Sequence, residues 1–130
     1  MNRKNVTLKA LLVLAFLLFA HVLTAKVRYE KGALYGIFVG ANGTDVVSVD
    51  NQGNVVVQKA EAANPSQYWQ VEELSGSVRL VNPFRHLAIR SDEDGLLKAA
   101  EINGSDENQL WSIEQSPAGV VLVPATRRDK

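Results

Sequence analysis

The chain has no cysteine, one methionine, four prolines and two histidines in 130 residues. Without cysteine no disulfide can form, and no thiolate is at hand for a zinc site or for nucleophilic catalysis. His86 is the single histidine beyond residue 25. One histidine without cysteine forms no recognisable zinc site and no Ser-His-Asp triad, so no catalytic constellation, metal site or cofactor is expected. Net charge is also missing, with 14 Lys+Arg against 14 Asp+Glu. Nothing in that balance invites nucleic acid or an anionic membrane surface. Helical periodicity is absent after residue 25, and the longest apolar run is 14 residues, short of the roughly 20 that a spanning helix needs.

That run, Ala10–Leu23, follows Arg3, Lys4 and Lys9 and precedes "TA". A basic start, a short apolar stretch and a small-residue exit describe a secretory signal peptide over residues 1–25, with Ala25 as the last residue before cleavage. The expected location is therefore extracellular or periplasmic, with no membrane contact after cleavage. Residues 26–130 then form a single domain of 105 residues with formal charge −3. A domain of this size with no cross-link must be held by its core alone.

What the chain does contain is a repeat. "SQYWQVEE" (Ser66–Glu73) recurs as "NQLWSIEQ" (Asn108–Gln115), 42 residues on. In the same gapless register Asp50 meets Asp92, Gly53 meets Gly95, Gln67 meets Gln109 and Trp69 meets Trp111. Val39 meets Val81, Val47 meets Ile89, and a second shift brings Leu80 onto Leu122. A fixed period of this length marks repeat architecture. Each copy reads as four short strands rich in Val, Ile, Leu and aromatics. They are Gly36–Gly40, Val46–Asp50, Asn54–Ala60 and Tyr68–Glu73, then Val78–Asn82, Leu87–Ser91, Leu96–Ile102 and Leu110–Gln115. "GVVLVPA" opens a third copy, and Lys26–Lys31 aligns with the last strand of a preceding one. Turn residues such as "ANGTD", "DNQGN" and "DEDG" separate the strands. Trp69 and Val71 point inward, Gln70 and Glu72 outward. The chain is all-β, with about ten strands. A propeller has four-stranded blades but two copies cannot close its ring; a fold of three four-stranded units fits better.

Gln67-Tyr68-Trp69 and Gln109-Leu110-Trp111 resemble the Gln-x-Trp motif of ricin-type β-trefoil lectin domains. "YGIFVGANGTDVVSVDNQGNVVVQKAEA" is similar to the opening of a fascin-like trefoil repeat. The resemblance covers Gly36–Val123 and implies a β-trefoil-like domain over residues 26–130. Three periods of 42 need 126 residues, so an incomplete third unit is expected. Physically, Trp69 and Trp111 supply a large apolar body to each unit, while Gln67 and Gln109 satisfy nearby backbone groups.

The resemblance also implies a sugar site made of an aspartate, a stacking aromatic and the polar pair before the Trp. The aspartate position falls near Val46 and Ala88, and the aromatic position near Gln58 and Ala100. None of these can serve, so the sugar site is degenerate. The most concrete binding face is Asp92, Lys98, Asn108 and Gln109 in the second repeat. "SDEDG" (Ser91–Gly95) clusters acids, but the aligned "VDNQG" does not, and the spacing matches no calcium loop. Asn42 and Asn103 head glycosylation sequons in turns. The expectation is a secreted, non-catalytic binding module for a glycan or a protein surface. The alternative is an interaction module whose trefoil-like unit is completed by a partner chain or a second copy, since an open side leaves strand edges free to pair.

Overall fold

The structure is a computed structural model that describes residues 28–40, 43–117 and 119–127. The proposed signal peptide lies outside the described residues. Nine strands run in order: β1 (Phe38–Val39), β2 (Asp45–Val49), β3 (Val55–Lys59), β4 (Gln70–Leu74), β5 (Ser77–Asn82), β6 (Leu87–Ser91), β7 (Leu97–Glu101), β8 (Trp111–Ser116) and β9 (Gly119–Pro124). Every pairing is antiparallel. A tenth strand over Lys26–Lys31 is not formed by its described residues. Arg28–Glu30 leads instead into a turn closed by Ala33 N–H on Glu30 O, and Tyr29 packs against the core.

The turns explain the hairpins. In the first repeat Asp50 Oδ1 accepts the backbone N–H groups of Gln52 and Asn54, both at 2.9 Å, and Gly53 takes φ +83°. The β2–β3 pair follows from Val49↔Val55 outward to Asp45↔Lys59. Between β4 and β5 the two-residue loop Ser75-Gly76 has φ +46° and +90°, as a tight hairpin of matching twist requires.

The strands form a three-stranded sheet, β1-β2-β3, and a six-stranded sheet, β7-β6-β5-β8-β9 with β4 also on β5. Tyr35 and Trp69 join the two by reciprocal backbone hydrogen bonds of 2.8 and 2.9 Å. The hairpin turn of the first repeat docks on the second through Ala99 N–H to Gly53 O at 3.0 Å. The core gathers Tyr35, Ile37, Val47, Val49, Trp69, Val71, Val78, Leu80, Ile89 and Trp111. Trp69 is fully buried and Val71 nearly so, while Gln70 is half-buried and Glu72 exposed, the alternation a half-buried strand shows.

One part of the gapless alignment needs correction. Phe38 pairs with Val46, but Val81, not Leu80, pairs with the matching Ala88. Tyr35 and Ile37 therefore correspond to Val78 and Leu80, one residue beyond the 42-residue register. The cause is loop length: five residues separate β1 from β2, and four separate β5 from β6. Because side chains alternate with period two, keeping the uncorrected register would have put Ser77 and Arg79 into the core in place of Val78 and Leu80.

Candidate functional site

Each repeat is closed by the same two ties. Gln67 Nε2 donates to Lys59 O at 3.0 Å, and its Oε1 accepts Glu61 N–H at 2.8 Å. Gln109 does likewise with Glu101 O at 2.7 Å and Asn103 N–H at 3.1 Å. The indole N–H of Trp69 donates to Val47 O, and that of Trp111 to Ile89 O. Both glutamines sit in short 3-10 turns, Pro65–Gln67 and Glu107–Gln109, capped by Asn64 and Asp106. These side chains accept the N–H of Ser66 and of Asn108, satisfying donors that the turn leaves open.

The repeats differ in what stands above this frame. Where the first has Ser48, Val56 and Asn64, the second has Arg90, Lys98 and Asp106. Arg90 Nε reaches Asp106 Oδ2 at 3.0 Å and its Nη1 reaches Asp92 Oδ1, while Lys98 Nζ lies 3.7 Å from Asp92 Oδ2. The Arg90 guanidinium is the main cause holding the Asp106 carboxyl below its ordinary value; Asn108 N–H adds to it and partial burial opposes it. The Arg90 pKa is raised in turn, first by its bond to Asp106. In the first repeat Asp50 is also lowered, chiefly by the backbone N–H of Asn54. Ser48 there donates to Ser66 O, and Arg85 from the second repeat reaches Asp50 O at 3.1 Å.

The structure thus brings Asp92 and Lys98 together and places Asn108, half-buried, one residue beyond the cap-bearing turn start. Gln109 is different. It is 1% exposed and its amide serves the backbone on both sides, so it belongs to the frame and is no ligand-facing group. Val46 and Ala88 are core residues, Ala100 is half-buried and Gln58 exposed, so the family's aspartate and aromatic positions hold no sugar-binding chemistry. His86 is exposed, with φ +56°. Among the described residues no group of three His, Asp or Glu side chains is placed to hold a metal ion. Arg90 and Asp106 were not among the expected site residues: the aligned repeats exchange neutral for charged side chains there, but also at Arg85, Glu93, Asp94 and Glu107, so the exchange alone does not single them out.

No family model matches the chain, and no curated protein sequence does. Solved structures do. A designed three-fold symmetric protein, ThreeFoil, is 20% identical with a TM-score of 0.61, covering 70% of this chain and 71% of its own. The Haemophilus ducreyi cytolethal distending toxin is 12% identical, TM-score 0.62, covering 79% and 65%. The Polyporus squamosus lectin, solved with the human-type influenza-binding epitope Neu5Acα2-6Galβ1-4GlcNAc, is 12% identical, TM-score 0.63, covering 75% and 38%. The chain therefore matches less than two thirds of the toxin and lectin chains. At these identities the likeness concerns the fold, and it defines this chain as β-trefoil-like: two four-stranded units and the opening strand of a third among the described residues.

Proposed function

We propose that the chain is a secreted, non-catalytic module that binds carbohydrate through the polar cluster of its second repeat. The observation that carries this reading is the Arg90–Asp92–Lys98–Asp106 network of the second repeat, whose ion pairs are not matched at Ser48, Val56 and Asn64 of the first among the described residues. Sugar hydroxyls donate and accept at fixed angles, so they are best met by charged groups already held in place. Arg90 and Lys98 fix the Asp92 carboxylate from two sides, so its orientation is set before any ligand arrives. Lys98, 56% exposed, and the Asn108 amide supply donors beside it. A lectin of the same fold, solved with a glycan epitope, lends support. The basic, apolar and small-residue pattern of residues 1–25 supports export.

The test is glycan-array binding of the wild type beside a Lys98→Ala, Asn108→Ala double variant and a Ser66→Ala control in the first repeat. Gln109 stays intact so that the fold is kept. Binding that the double variant loses and the control keeps supports the reading. Binding equal in all three, or no glycan bound by the wild type, removes it.

A further inference from the structure

β9 (Gly119–Pro124, GVVLVP) is an edge strand made almost wholly of apolar residues. It pairs with β8 along six residues, from Trp111↔Pro124 to Ser116↔Gly119. Its other side has no strand neighbour among the described residues. Val120 and Leu122 stand in the register of Val78 and Leu80 of β5, which are 4% and 0% exposed. β5 is flanked by strands on both sides; Val120 and Leu122 are only half-buried, and Val121 between them is 46% exposed.

Strand edges are ordinarily protected by charge. β3 carries Lys59, and β7 carries Lys98 and Glu101. From Pro117 to Ala125 β9 and its flanks carry no ionisable side chain. A neutral, β-branched strand meets no like charge when it lies antiparallel to a copy of itself. Two-fold symmetry about an axis normal to the sheet makes such pairing self-complementary, with inner faces meeting inner faces. Side-chain alternation then requires even register. An axis through Val121 satisfies it: Val121 lies opposite Val121 of the second copy, and Val120 opposite Leu122, so the half-covered apolar face continues across the seam.

We propose that β9 is the seam of a homodimer, in which two copies join their six-stranded sheets by antiparallel pairing centred on Val121. This is independent of the carbohydrate reading, since β9 contributes nothing to the Asp92–Lys98 cluster.

The absence of native cysteine makes the test direct. Val121→Cys should form a disulfide-linked dimer on mild oxidation, because residues facing each other across antiparallel strands lie about 4.5–5.5 Å apart at Cα, within disulfide reach. Val57→Cys, on a still more exposed valine of β3, should not. Val121→Lys places like charges face to face and should weaken dimerisation at least about tenfold by sedimentation equilibrium while leaving the circular dichroism unchanged. A purified protein that stays monomeric at all concentrations overturns the proposal, including the case where β9 instead takes up a strand from another protein. A dimer that Val121→Lys leaves intact, or that Val121→Cys fails to cross-link, overturns it as well.

Discussion

The indole N–H of Trp69 donates to the backbone carbonyl of Val47 at 3.1 Å, across 22 residues of chain. Trp111 repeats the relation with Ile89 at 2.9 Å across the same 22 residues. The large ring fills its unit's centre, and the one polar atom it brings is spent on a carbonyl that the ladder leaves free.

Trp69→Phe should therefore cost more than lost area. It strands the buried Val47 carbonyl, a penalty of about 1–3 kcal/mol. Urea unfolding should show a lower midpoint with an unchanged slope; an unchanged midpoint would show that the carbonyl finds another partner.

Gln109 and Asn108 are neighbours with opposite consequences. Gln109→Ala removes partners from Asn103 N–H and Glu101 O, at about 0.5–1.5 kcal/mol for each hydrogen bond lost. Asn108→Ala should stay within about 0.5 kcal/mol, as surface changes do. Thermal melts of the two variants separate frame from surface. Equal destabilisation would contradict the assignment.

Asp106→Asn isolates the ion pair from the cap, because Asn64 already performs the same capping in the first repeat. The Asp106 pKa is lowered on folding, so its pairing with Arg90 contributes stability that is present above the unfolded aspartate value near about 3.9 and lost as pH falls through the folded value. The wild type should lose stability more steeply than the variant below about pH 4, and the two should converge in acid. Parallel urea midpoints between pH 2 and pH 7 would show that the pair contributes nothing.

Ser75 sits at φ +46°, the first of two left-handed residues in the β4–β5 hairpin. Asparagine tolerates that region better than serine, and Asn-Gly is the favoured pair for this turn. Ser75→Asn should raise stability by about 0.5–1 kcal/mol. Ser75→Val should lower it, and differential scanning calorimetry reads both.

The strands were legible because their causes are local. Leu87–Ser91 was expected and found with the same bounds, and the alternation of Trp69 and Val71 with Gln70 and Glu72 is a property of five adjacent residues. The one-residue shift of β5 was not legible, since matched valines at 39 and 81 hid a loop one residue shorter. Nor was the fate of Arg79. Alternation places it opposite the core face, yet it is 5% exposed, held by Glu72 at 2.7 Å with its Nε unpaired. That depends on what packs over the strand, which no local pattern records. The charge cluster escaped for a similar reason: Arg90 and Asp106 are 16 residues apart and meet only when the hairpin folds back on the capped turn.

The ties also set a tempo. Gln67 reaches back 8 residues and Trp69 reaches back 22, whereas the latch from Arg85 to Asp50 spans 35. Chain entropy lost on closing a loop rises with its length, and contacts near in sequence are reached first. Each four-strand unit can thus gather around its own tryptophan while its neighbour is still unformed. Docking between units comes later, and it is the step at which an unpaired strand lies open longest.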